Sequence, residues 1–171
     1  MYFSKLMIKS FLCLGIVLFY SCSEPDYKLL DGRKGNLDDF DGKWLVINYW
    51  ADWCPPCIKE MPELTSFYNA NEHEVLVLAH NFDQLEGEEL IEQILRFKVN
   101  IPSLLTDPKE LFGWASPESL PATYFLDPKG KVREALIGPQ TQESLEGILR
   151  KLKNSKYQGK NISGSTEIPL R

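Results

Sequence analysis

Histidine is scarce in this chain: only His73 and His80 occur. A structural zinc site needs four ligands, and Cys54 and Cys57 could be completed only by these two. Their spacing of seven is wider than zinc ligands usually show, and one sits at a helix end, the other at a strand end. Each therefore reads as an ordinary surface or strand-end residue, and no metal is expected. Basic charge is also short, with 19 Lys and Arg against 24 Asp and Glu and a net charge of −5. Nucleic-acid binding normally needs a clustered basic face, so that partner is set aside. Long apolar runs are missing too. The charge-free run Phe11 to Tyr20 is about ten residues, whereas a bilayer span takes roughly twenty.

The run is nevertheless informative. Lys5 and Lys9 precede it, and Ser21-Cys22 and the polar Ser23-Glu24-Pro25-Asp26 follow it, which is the layout of a secretory signal. A small residue before Cys resembles a bacterial lipoprotein signal, in which that Cys is lipidated. Phe19 and Tyr20 depart from the usual pattern. Lipidated Cys22 is the preferred expectation, ahead of an uncleaved signal anchor and of an ordinary signal peptide. On this reading residues 1–22 are a leader, 23–153 a single domain, and 154–171 a polar, disordered tail. Cys13 lies in the apolar run as a small hydrophobe.

With the leader removed, Cys54 and Cys57 are the free thiols of an extracytoplasmic domain, where disulfides persist. The loop they close is too small to restrict the unfolded chain much. A catalytic or metal-binding role is favoured over a structural one.

Along the mature chain, Tyr27 to Leu30 reads as a short strand and Trp44 to Trp50 as a strand buried on both faces. After Cys54 the spacing of Ile58, Met61, Leu64, Thr65 and Tyr68 predicts a helix to about Asn69–Asn71, kinked at Pro62. Val75 to Ala79 is a strand, and Leu90, Ile91, Ile94 and Leu95 mark a second helix by their periodicity. A brief extended segment at Ile101 to Leu105 and a Pro-initiated helix at Pro108 to Gly113 follow. Ala122 to Leu126, a turn at Asp127 to Gly130, and Val132 to Ile137 form a hairpin. The last helix carries Leu145, Ile148, Leu149 and Leu152 on one face. The order β-α-β-α-β-β-α gives an α/β sandwich with a mixed sheet.

The sequence Trp50-Ala51-Asp52-Trp53-Cys54-Pro55-Pro56-Cys57 falls where a strand hands over to a helix. Cys54 is expected at the helix N-terminus, where unpaired N–H groups and the helix dipole stabilise a thiolate. Pro55 and Pro56 suit the first helical turn. Cys57, one turn further in, is expected to be more buried, so that Cys54 attacks a disulfide and Cys57 resolves the mixed disulfide.

These residues, together with Gly42 to Trp50, Glu60-Met61-Pro62-Glu63-Leu64 and Leu120 to Asp127, resemble the TlpA-like family of bacterial membrane-anchored thioredoxins, which includes cytochrome c maturation reductases. The likeness runs from about Tyr27 to Lys153. It implies a thioredoxin-like three-layer sandwich with a central mixed β-sheet. It also implies that Pro121 is a cis-proline facing the cysteines, with the Leu120 backbone open to an extended substrate. Trp53 and Pro55, flanking Cys54, complete the expected substrate-binding surface. Thioredoxins proper carry a buried Asp six residues before the first Cys, where this chain has Asn48. Glu60, three after Cys57, matches an acidic residue of membrane-anchored relatives and shares a helix face with Cys57. It is either the acceptor of the Cys57 proton or a solvated helix carboxylate, as Glu63 reads.

The expected function is a membrane-tethered thiol–disulfide oxidoreductase working as a protein-disulfide reductase, with no cofactor beyond the Cys54–Cys57 pair. Negative charge at Asp52 and Glu60, partly offset by Lys59, favours a reductant. Expected partners are protein disulfides, such as haem-site cysteines of apocytochromes or copper-site proteins, and a membrane electron donor of the thiol–disulfide interchange type. The protein is expected to be a periplasmic monomer. The alternatives are a Cu(I)-handling module, since thiolates suit a soft ion, and a disulfide-forming oxidase.

Overall fold

The computed structural model describes residues 24–40 and 42–154. The leader, Cys22 and the expected tail beyond Asn154 lie outside the described residues. Asn154 itself, read as the first residue of that tail, is the last residue of a helix.

Among the described residues six strands are formed: β1 (Tyr27–Lys28), β2 (Lys34–Gly35), β3 (Trp44–Trp50), β4 (Val75–Asn81), β5 (Ala122–Leu126) and β6 (Val132–Ile137). The helices are α1 (Pro55–Asn71), α2 (Gly87–Phe97), α3 (Pro108–Phe112) and α4 (Gln142–Asn154), with a 3-10 turn at Leu37–Phe40. The main sheet has the order β4-β3-β5-β6. β3 and β4 are parallel, while β3–β5 and β5–β6 are antiparallel. The sheet is therefore mixed, as the element order requires. β1 and β2 form a separate two-stranded ribbon.

All seven residues of β3 are buried, which explains why the strand reads as a continuous apolar run rather than an alternating one. Its side chains still alternate between two cores. Val46 and Trp50 join Cys57, Met61, Leu64 and Phe67 of α1 and Leu145, Leu149 and Leu152 of α4. Leu45, Ile47 and Tyr49 face the other way, with Tyr27, Phe40 and Tyr124. Asn48, in phase with Val46 and Trp50, thus points toward α1.

The chain is helical from Pro55 to Asn71 as one element through the exposed Pro62. In α2 the buried face is offset from the apolar pattern: Leu90 and Gln93 are buried, while Ile91 and Leu95 are 43% and 72% exposed. Gln93 tolerates burial because its Oε1 accepts from Asn81 Nδ2 at 3.3 Å. His80 lies at the end of β4, as expected, and is buried there, with Nδ1 3.0 Å from the Leu104 carbonyl oxygen and its ring edge-on to Tyr49. Burial holds its pKa below the usual imidazole value.

Candidate active site

Cys54 is the N-cap of α1, in extended backbone (φ −104°, ψ 90°), and Pro55 and Pro56 fill the first helical positions. Both prolines lack an N–H where none would be paired. The first free donor of the helix is the Cys57 N–H, and it points at Cys54 Sγ, 3.3 Å away. A sulfur at this position takes the place of a capping oxygen, so negative charge on it is favoured by that N–H and by the helix dipole. Cys54 and Cys57 are joined as a disulfide with Cα atoms 5.3 Å apart. Cys57 is wholly buried and Cys54 retains 4% exposure.

One turn beyond Cys57, Glu60 is 2% exposed, so it is not a solvated carboxylate. Asn48 Nδ2 donates to its Oε1 at 2.8 Å and the Gln140 backbone N–H to its Oε2 at 2.8 Å. The same Asn48 nitrogen donates to Thr123 Oγ1 at 3.0 Å. Burial raises the Glu60 pKa to about 7, against the opposing pull of the Gln140 N–H and then of Asn48. Its proton is thus exchangeable near neutral pH, where a general acid–base group works best. Glu63 is corrected as well: it is half-buried, and its Oε2 accepts from the Gln142 N–H at 2.9 Å.

Trp53, beside Cys54, is 58% exposed. Its indole N–H donates to Asp83 Oδ2 at 2.8 Å, and its ring stands edge-on to Phe82 at 6.1 Å. Pro55 is exposed. The Leu120–Pro121 bond is cis, and Leu120 packs against the core that holds both cysteines. β5 begins at the next residue, and its Ala122 pairs with Tyr49 at the end of β3 from which the Cys54 loop departs. Trp114 secures the segment ahead of Pro121: its Nε1 donates to Tyr49 Oη at 3.0 Å, and its ring stacks on Tyr124 at 5.1 Å. On the far side, the Gly138 N–H donates to the Pro121 carbonyl at 2.9 Å. Gly138 holds φ +95°, a conformation that costs glycine little.

Thr123, Gln140 and Asp83 were missed in the sequence. Only Gly138-Pro139, a turn signal ahead of a helix, hints that Gln140 starts a structured segment.

The model of the AhpC/TSA family matches residues 23–135. The chain belongs to the AhpC/TSA family. Within it, the chain is 35% identical over 126 residues to the thiol-disulfide oxidoreductase ResA of Bacillus cereus, covering 72% of this chain and 71% of that protein. It is 34% identical to the thioredoxin-like protein YneN of Bacillus subtilis, over 71% and 74% of the two chains. The crystal structure of StoA from Bacillus subtilis superposes with a TM-score of 0.59 at 28% identity, covering 72% of this chain and 93% of that one. The TlpA-like resemblance and the thioredoxin-like fold hold, and the chain is a thiol–disulfide oxidoreductase with a Cys54–Cys57 disulfide.

Proposed function

We propose that this oxidoreductase reduces protein disulfides outside the cytoplasm, tethered to the membrane through lipidated Cys22. The reading rests chiefly on one arrangement: a disulfide at the N-terminus of α1 with a buried carboxyl, Glu60, one turn past its inner cysteine. In the dithiol form, Cys54 thiolate attacks a substrate disulfide, forming a mixed disulfide and releasing one substrate thiolate, which takes a proton from solvent. Cys57 gives its proton to Glu60 and attacks Cys54 Sγ. The second substrate thiolate leaves, and the electron pair lost by Cys54 and Cys57 has reduced the substrate. Trp53, Pro55, Leu120 and Pro121 form the surface on which an extended substrate lies. A membrane dithiol donor of the interchange type returns the disulfide to the dithiol. The protein acts as a monomer. Among the described residues no helix is long and apolar enough to cross a membrane.

The direction is tested by equilibrating the Cys54–Cys57 couple with glutathione buffers. A couple more reducing than glutathione supports the reductase. One markedly more oxidising reverses the assignment, because direction follows the potential against the compartment's poise.

A further inference from the structure

Glu60 is held from the segment that leads into α4 as well as from the sheet, and a second carboxylate of α1, Glu63, accepts from the same segment. Glu60 and Glu63 lie one turn apart on α1 and accept two backbone N–H groups, those of Gln140 and Gln142. Between these donors Thr141 caps α4, its Oγ1 accepting from the Ser144 N–H at 3.2 Å. The Gln140 side chain is tied to Ser144 Oγ and to the Gly138 carbonyl, each at 2.8 Å. The segment from Gly138 to Gln142 is therefore a short clasp on the two carboxylates. Gln142 further donates through Nε2 to Glu146 Oε1 at 2.8 Å.

We infer that Glu63 is a positioning residue: by holding the Gln142 N–H it keeps the Gln140 N–H on Glu60 and so sets the proton affinity of Glu60. This rests on the proposed role of Glu60 only for its consequence in exchange. The contact itself concerns a carboxyl and an N–H. A hydrogen bond to the charged form of a carboxyl favours that form. Asn48 and Thr123, which face Glu60 from β3 and β5, carry no charge. The titratable and charged groups on the packed elements are Lys59, Glu63 and Tyr68 on α1, where Cys57 is held in the disulfide, and Glu143, Glu146, Arg150, Lys151 and Lys153 on α4. Of these, Lys59, Glu143, Arg150, Lys151 and Lys153 are exposed.

The sign of the effect separates positioning from simple electrostatics. Removing the Glu63 charge alone would make it easier for Glu60 to ionise and lower its titration midpoint. Releasing the Gln140 N–H does the opposite. The test is a carbon-13 carboxyl NMR titration of Glu60 in the full oxidised chain, with the pH dependence of disulfide exchange measured in parallel. In Glu63→Ala the Glu60 midpoint should rise by about one pH unit, the size expected for loss of a hydrogen bond to a charged group. In Glu63→Gln it should stay at or below the wild-type value, because the amide oxygen still accepts from Gln142. Should Glu63→Ala fail to fold, Thr141→Ala loosens the same clasp from its exposed side and should also raise the midpoint. A Glu60 midpoint that is unmoved or lowered in the loosened variant overturns the inference, whatever happens to stability. A raised midpoint with an unshifted rate profile supports the clasp and counts against Glu60 as the Cys57 proton acceptor.

Discussion

Asn48 Nδ2 lies 2.8 Å from Glu60 Oε1, so that the central strand and the cysteine helix meet through an amide and a carboxyl inside the protein. The amide donates, and the acid sits on the helix one turn past Cys57.

A buried Glu60 with a pKa raised to about 7 from 4.5 makes stability depend on pH. The folded protein holds the Glu60 proton more tightly than the unfolded chain does. Its contribution is fully present below about pH 4.5 and is lost as pH rises through about 7, a fall of up to ~3 kcal/mol. Denaturant unfolding of the oxidised protein should show this decline across that window, and Glu60→Gln should remove it. The same variant should slow mixed-disulfide release by roughly 10²-fold and flatten the rate profile near neutrality. Parallel stability curves for the two proteins from acid to neutral pH would contradict the buried-acid account.

Asn48→Asp places a second carboxyl at hydrogen-bond distance from the first. Two such groups cannot both ionise cheaply, so the pair retains a proton well above the usual carboxylate range. The variant should lose roughly 1–3 kcal/mol at neutral pH and recover part of it at acid pH, where the proton is present. Urea unfolding near pH 5 and near pH 8 checks this. An equal loss at both would mean that Asn48 matters only for packing.

Much of this site was legible before its structure. Trp44 to Trp50 reads as a buried strand because every residue of β3 is covered, and Pro55 and Pro56 announce the helix start that places Cys54 at its cap. The remainder depends on contacts between distant parts of the chain. Gln140 reaches Glu60 across 80 residues through a backbone N–H, which no side-chain pattern records. Glu60 and Glu63 look alike in sequence as polar positions on one helix, but one lies under the sheet and the other at the entry to α4. Asn48 reads as a missing acid, although its amide is what the relocated acid requires. In α2, Ile91 and Leu95 fit the helical period yet stand exposed, because Gln93 finds a buried partner in Asn81 and rotates the covered face.

Trp53 offers a large exposed ring beside Cys54, fixed by the Asp83 carboxylate at 2.8 Å. Aromatic anchors at the centre of an interface carry a large share of its energy. Trp53→Ala should raise KM for protein disulfides by roughly tenfold, equivalent to about 1.4 kcal/mol, with little change toward a small aromatic disulfide. Steady-state kinetics with both substrates check it. Equal losses on the two would place Trp53 in support of the cysteines rather than of substrate.

Cys22→Ala should abolish lipidation, leave the signal uncleaved by the lipoprotein peptidase and strip the chain of its stable link to the membrane, if covalent lipid is what anchors it. Mass spectrometry and fractionation of the full chain check these outcomes. A mutant whose mass and membrane association match those of the wild type would point to an uncleaved signal anchor.

The central claim is the division of labour between Cys54 and Cys57, and the most direct measurement is trapping of substrate on full-chain variants that lack one or the other, resolved on non-reducing gels. Cys57→Ser keeps the attacking sulfur at the cap of α1 and lacks the resolving one, so it should accumulate mixed disulfides that dithiothreitol releases. Cys54→Ser leaves, of the redox pair, only the wholly buried Cys57 and should trap nothing through it, and neither variant should turn over an insulin-type disulfide. Trapping through Cys57 in Cys54→Ser, or reductase turnover that survives both substitutions, would contradict the account.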